Sequence, residues 1–245
     1  MHHSAYDLKA FYNSRIGRVV RRIMQERIHE FWPDLHGLRV MGCGYALPYL
    51  RRLSDGSERY FALLPAGQGA HHWPHDGNNL VCLSEESELP IENSSVDRII
   101  MVHSLEFTEL LQSNLSEIWR VLKPNGRLLV IVPNRMGFWA RADWTPFGQG
   151  TPYSSSQVCQ FLRDNMFIHE RTQEALFMPP LKYSFVLRGA GLCEKMGSSI
   201  LPIVSGVHMV EASKQLYARA DKGSGLGARV RGRDVLGARP VNARI

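Results

Sequence analysis

Between residues 37 and 133 the chain alternates short apolar strands with helical stretches over brief turns, and this pattern constrains the fold more than any other feature. Leu38 to Met41 reads as a strand, followed by Gly42-Cys43-Gly44 and helical spacing from Ala46 to Leu53. Tyr60 to Leu64, Leu80 to Leu83 and Val96 to Val102 supply three further strands, the last introduced by the turn formers Asn93-Ser94-Ser95. Leu111, Leu115, Ile118, Trp119 and Leu122 share one helical face, which Pro124-Asn125-Gly126 ends. Arg127 to Val132 follows and is apolar enough for a central strand. Strand and helix alternating over short connections require crossovers, so the pattern predicts an α/β fold with a mostly parallel sheet.

On either side the pattern is less regular. In residues 7–31 apolar side chains recur at three- and four-residue spacing, with Arg15, Arg18, Arg21, Arg22 and Arg27 between them. Gly17 is a candidate break into two helices, and Pro33 ends the segment. A basic amphipathic helix suits a membrane surface or an organelle presequence, but packing against the domain that follows is the preferred reading. Residues 134–153 form a long connection carrying Trp139, Arg141, Trp144, Phe147 and Tyr153 together with Gly148 and Gly150. Such a loop either covers a ligand or packs onto the sheet. Beyond it, Ser154 to Leu162 predicts a capped helix, Phe167 to Phe177 a strand, Tyr183 to Met196 a helix and Val207 to Leu216 a last strand with some helical character.

Charge is unevenly placed. Of the net +6, five charges belong to residues 219–245, where seven basic side chains face two acids among five glycines. The preceding body is nearly neutral. The tail reads as a flexible, solvated Arg/Gly segment, which could contact a protein partner; without an aromatic for base stacking, nucleic acid is disfavoured. The domain layout expected is a helical cap at 1–35, an α/β domain at 36–218 and the tail at 219–245. No segment approaches the roughly 18 apolar residues of a membrane span. The four cysteines, Cys43, Cys82, Cys159 and Cys193, form no Cys-x-x-Cys pair. They suit reduced thiols, so a cytoplasmic location is expected and no membrane. His71, His72 and His75 flank Trp73 and Pro74; no nearby cysteine completes a metal site, and no metal is expected.

Gly42-Cys43-Gly44 after the first strand permits a sharp turn and a close backbone approach to a ligand. Tyr45 and Ala46 follow in place of the further glycines of a dinucleotide site, which argues against a nicotinamide or flavin cofactor. Two longer stretches add to this turn: Glu88-Leu89-Pro90-Ile91-Glu92-Asn93-Ser94-Ser95-Val96-Asp97-Arg98-Ile99-Ile100, and Leu115 to Val130 with its Arg120-Val121-Leu122-Lys123-Pro124-Asn125-Gly126 core. Together the three resemble the class I S-adenosylmethionine (SAM)-dependent methyltransferases of the type-11 group, over about residues 36 to 135. The resemblance implies a Rossmann-like, seven-stranded, mostly parallel sheet with helices on both faces. It further implies an antiparallel final hairpin in residues 167–216, SAM as cofactor and a small-molecule acceptor.

What the resemblance implies for the site is uneven. It assigns the cofactor to Gly42, Cys43, Gly44 and Tyr45 in the turn, to the position of Leu64 at the end of the second strand, and to Glu85 and Leu89 near the adenine. His103, Ser104 and Glu106 fall on the substrate side, with His103 and Glu106 as candidate bases. Two positions depart from the family pattern: Val40 and Leu64 stand where the family carries acids. A carboxylate holding the ribose hydroxyls is worth about 1.5–3 kcal/mol per charged hydrogen bond, so its loss would weaken binding about tenfold or more per bond. This motivates an alternative, a catalytically degenerate methyltransferase fold that acts as a binding or regulatory partner. RNA methylation aided by the tail is a third reading, disfavoured by the neutral body.

Overall fold

A computed structural model describes residues 4–200 and 204–216. The seven strands are β1 (Arg39–Gly44), β2 (Arg59–Pro65), β3 (Val81–Ser84), β4 (Val96–Val102), β5 (Leu122–Pro133), β6 (Phe167–Ala175) and β7 (Val207–Lys214). They form one sheet in the order β3-β2-β1-β4-β5-β7-β6. The pairings from β3 through β5 are parallel, and β7 runs antiparallel to both β5 and β6. The expected mostly parallel sheet with an antiparallel final hairpin is therefore present, and the last strand is a strand without helical admixture.

Strand side chains alternate between the two faces, and each set meets different helices. Val40, Leu64, Ile100, Val102, Leu129 and Met209 pack with α1 (Ala5–Asn13), α2 (Arg15–Phe31) and α3 (Leu47–Leu53). Met41, Leu63, Ile99, Met101, Leu128 and Val130 pack with α4 (Leu111–Val121) and α5 (Ser155–Asp164). Helix α6 (Ser184–Ile200) places Ala190 on the first face. Helices thus cover both faces, as a buried parallel sheet requires.

The N-terminal amphipathic stripe is spent on this packing. Leu8, Tyr12, Ile16, Val20, Ile23, Met24 and Ile28 are all buried. Full burial of such aliphatic side chains contributes about 1.5–3 kcal/mol each, so the stripe has its partner in the fold and is not left for a membrane. Among the described residues no helix is long and apolar enough to cross a membrane. The break between the two helices falls at Ser14, not at Gly17. Ser14 caps α2 by accepting from the Gly17 amide at 3.1 Å. Gly17 instead permits contact, since a Cβ there would lie 2.0 Å from the Phe11 carbonyl oxygen.

The turn Pro124-Asn125-Gly126 also differs from expectation. It does not stand outside a strand beginning at Arg127; extended backbone starts at Leu122 and runs through it. Leu122 pairs with Val96 and Arg127 with Arg98, so the intervening residues bulge outward, with Asn125 at φ 62°. The capped helix predicted at Ser154 is confirmed as α5, with a reciprocal capping box between Ser154 and Gln157. The tail at 219–245 lies outside the described residues.

Candidate active site

Strand β1 pairs with β2 on one side and β4 on the other, so the connections leave it in opposite directions. In open α/β sheets ligands bind outside the carboxyl ends of the strands at such a switch point. Gly44 ends β1 opposite Val102, the last residue of β4, and His103 follows directly. Gly44 has φ 68°, and a Cβ there would sit 2.4 Å from the Val102 carbonyl oxygen. Only glycine satisfies both constraints. The glycine motif is thus not a turn after the strand, as its sequence suggested: Gly42 and Cys43 pair within β1, Gly42 faces Leu50 and Ala46, and Gly44 is the residue that meets His103 and Ser104.

His103 and Glu106 meet each other, and the sequence did not reveal what else joins them. Tyr49 donates its hydroxyl to the Tyr12 oxygen at 2.8 Å, and Tyr12 lies 2.8 Å from His103 Nε2. His103 Nδ1 lies 3.1 Å from Glu106 Oε1. Because Tyr12 accepts from Tyr49, its own proton goes to His103 Nε2. His103 must then carry its hydrogen on Nδ1 and donate to Glu106. A single direction of donation links all four groups, from α3 through α1 to the end of β4, and leaves Glu106 Oε2 without a partner among the described residues. All four are buried, with His103 1% exposed and Glu106 4%. Burial, reinforced by Tyr49, raises the Tyr12 phenol well above its ordinary range, so it remains a neutral donor. Burial raises Tyr49 and Tyr45 as well. The available signal for Tyr12 was a hydroxyl placed in an otherwise apolar stripe, which must find a partner once buried.

The long connection closes this network. Phe147 packs on His103 at 4.9 Å between ring centroids, and Trp139 packs on Phe147 at 5.5 Å. Trp139 also donates to the Met178 carbonyl at 2.7 Å, and the Thr151 amide donates to the Glu106 carbonyl at 2.9 Å. Of its aromatics, Trp139 and Phe147 are buried while Trp144 is 44% exposed. The loop both packs and covers.

The remaining candidates are scattered. Glu85 is exposed and bridges to Glu88; its neighbour Glu86 turns inward, accepting from Ser104 Oγ at 2.9 Å. Cys43 is buried on the same side, and desolvation pushes its thiol up to about 12. Leu89 is buried beside α4, its amide donating to Glu117 at 2.9 Å. Leu64 is fully buried in the core and offers nothing to a sugar. Gln68, in the helical turn Ala66–Gln68 just past β2, is 2% exposed. Both atoms of its amide lack a partner among the described residues. Three residues on, His71 Nε2 lies 3.1 Å from the Tyr45 hydroxyl, which ties this segment to the glycine turn. The His72 carbonyl lies 3.1 Å from His71 Nδ1, and His75 pairs with Asp76 on the surface.

These features test whether the edge suits SAM. Glu106 Oε2, Asn114 Oδ1 and the Gln68 amide are buried and unpartnered among the described residues. Leaving such groups unpaired costs about 1–3 kcal/mol each, a cost that a polar ligand would remove. An amide can accept from one ribose hydroxyl and donate to the other, so Gln68 meets the chemical demand that Leu64 cannot. The donor set fits, in an edge that is closed over by Tyr12, Tyr45 and Phe147.

The two long motifs act as scaffold. Arg120 donates to the Leu89 carbonyl at 2.9 Å and the Ile91 carbonyl at 2.8 Å, and pairs with Glu117 at 2.7 Å. Glu117 is held below the usual carboxylate range by Arg120. Lys123 pairs with Asp97 at 2.8 Å, and Asp97 also accepts the Arg39 amide at 3.0 Å. The motif residues therefore fix α4 against the turn before β4, and β4 against β1.

Residues 41–130 match a family model described as a methyltransferase domain, within the span where the motifs place the resemblance. No curated protein matches the chain. Among solved structures, a chain of the complex between the Haloferax volcanii Trm112 methyltransferase activator and its methyltransferase candidate aligns with TM-score 0.62 at 17% identity, covering 88% of this chain and 99% of that one. A SAM-dependent methyltransferase from Archaeoglobus fulgidus aligns with TM-score 0.57 at 15% identity, covering 84% and 97%. One from Mesorhizobium loti aligns with TM-score 0.56 at 12% identity, covering 83% and 100%. At these identities the structures establish the class I methyltransferase fold, and SAM is the cofactor expected of such a domain.

Proposed function

We propose, from the methyltransferase domain that residues 41–130 match, that this chain is a SAM-dependent methyltransferase acting on a small-molecule acceptor. The observation that carries the reading is the buried Glu106–His103–Tyr12 relay at the switch point, one residue past the end of β4. When bound, SAM supplies a methyl group on a sulfonium, whose transfer needs alignment and exclusion of water more than covalent help. Gly42, Cys43, Gly44 and Tyr45 would hold its methionine end, Gln68 its ribose, and Leu89 with Glu86 or Glu85 its adenine. His103 Nε2 is the atom placed to take a proton from the acceptor, and Glu106 offsets the imidazolium charge that results. Tyr12 occupies that nitrogen in the closed state, so α1 must yield for an acceptor to reach it. Four unpaired cysteines suit a cytoplasmic protein.

A second reading, a methyltransferase fold that binds a partner without turnover, is favoured by one observation: Leu64 and His103 are both sealed from solvent. Calorimetric titration with SAM and with its demethylated product separates the two. Binding, together with methyl transfer that is lost in His103→Asn and Glu106→Gln variants that still bind, supports the enzyme. No heat and no thermal shift at millimolar ligand leaves the binding partner.

A further inference from the structure

A second cleft lies beside this edge, where α1, α2, the start of α3 and the segment after β2 come together, with a volume of about 410 Å3. Neither Gly42 nor Gly44 lines it. Its charged side chains are Lys9, Arg21, Arg51 and Arg52, with His71 beside them and no carboxylate on any wall. None of those four cations forms an ion pair among the described residues, a state they share with several other arginines of the chain. A second group of arginines, Arg15, Arg18, Arg22 and Arg188, also lines an acid-free cleft; the cleft at the start of α3 differs in having the Trp73 indole beside its cations. The remaining lining is mixed: Asn13, Gln25, Leu47 and Pro48, the edges of the buried Tyr12 and Tyr45, and the half-buried Trp73 indole.

We infer that this cleft binds a small soluble molecule carrying a phosphate or comparable polyanionic group next to a flat ring. Unpaired cations converging on one space repel each other, and an anion relieves that repulsion. Arginine forks match phosphate oxygens in pairs, while the half-buried Trp73 indole suits a ring. The Trp73 indole beside the cations selects a soluble phosphate ester with a ring as the ligand, and the vesicle arm of the test separates it from a lipid headgroup, which the exposed Lys9, Arg51 and Arg52 would also attract. The inference concerns a ligand rather than a reaction, and although Tyr12 and Tyr45 belong to both places, its test uses no SAM, so its failure and that of the methyltransferase reading are distinguishable.

The test titrates the full chain with phenyl phosphate and with inorganic pyrophosphate by calorimetry, at low and at physiological salt. Saturable one-to-one binding of either probe is expected, weakening with salt. The double variant Arg51→Ser, Arg52→Ser should lose at least about tenfold in affinity. A control variant, Arg135→Ser with Arg163→Ser, removes equal charge from exposed positions that do not line the cleft, and should bind within about twofold of the parent. Thermal unfolding checks that both variants fold. The inference is overturned by absent saturable binding, or by equal losses in the two variants, which would mark general attraction to a basic chain. It is also overturned if vesicles of phosphatidic acid and phosphatidylcholine bind through Arg51 and Arg52 while neither soluble probe does.

Discussion

Gly44 and Gln68 show how two residues at one edge answer different demands. Gly44 is fixed by backbone geometry, with positive φ and a carbonyl 2.4 Å from any added Cβ. Gly44→Ala should therefore destabilise the fold by roughly 3 kcal/mol, read as a lower urea midpoint at unchanged m-value. An acidic substitution there would report on folding, not on cofactor affinity. Gln68 allows the cleaner test. Replacing its unpartnered amide with an isosteric apolar group removes a desolvation cost, so Gln68→Leu should raise stability by about 1 kcal/mol. If the amide holds the ribose, the same variant should weaken SAM affinity by about tenfold, and Gln68→Glu should retain or strengthen binding. Unchanged affinity in Gln68→Leu would remove this residue from the cofactor site. The sequence made the glycine turn, His103 and Glu106 legible because they lie in or next to recognisable motifs. Tyr12, Glu86 and Gln68 were not legible as members of the candidate site, because their placement depends on which polar side chains the fold buries at this edge.

Strands and helices were read with small boundary errors, since apolar periodicity is a local signal and each sheet face proved covered as the pattern required. The misreadings share one cause. Gly17 and Pro124-Asn125-Gly126 look like breaks, yet tertiary contacts use them as a close-contact site and a bulge inside a continuing element. The family-like motif around Arg120 was legible as a resemblance, whereas its physical role was not. Five hydrogen bonds leave this one guanidinium, to Glu117 twice and to Leu89, Ile91 and Asn93. A lysine ammonium cannot reproduce that planar fork. Arg120→Lys should cost roughly 2 kcal/mol of stability and loosen the turn before β4. Hydrogen exchange at the amides of Ser94 and Ser95, which donate to the Arg120 and Val121 carbonyls, provides the local readout. Protection lost there ahead of the β5 amides is the expected pattern; a uniform loss would instead place Arg120 in global stability alone.

The folded chain as a whole carries a pH dependence that originates far from the candidate site. His208 sits on β7 between Val132 and Glu174, and burial pushes its imidazole down to about 4. The Glu174 carboxylate is 3.7 Å from Nδ1, too long for a hydrogen bond to offset that burial. An unfolded histidine titrates near 6.5, so between pH 6.5 and 4 the unfolded chain binds the proton that the folded chain refuses. The stability contributed by neutral His208 is complete above pH 6.5 and falls as pH drops toward 4. At about 1.4 kcal/mol per pH unit, the loss reaches roughly 3 kcal/mol across that window. Glu174 acts in the opposite sense: burial raises its pKa, so its protonation favours the folded state as pH falls. A Glu174→Gln background removes this opposing contribution. In that background, urea unfolding should show stability decreasing between pH 7.5 and pH 4.5 by about 2–3 kcal/mol more with His208 than with His208→Gln. Parallel pH profiles for the two chains would mean that the folded His208 takes up its proton at the same pH as the unfolded one, and that burial does not hold it neutral.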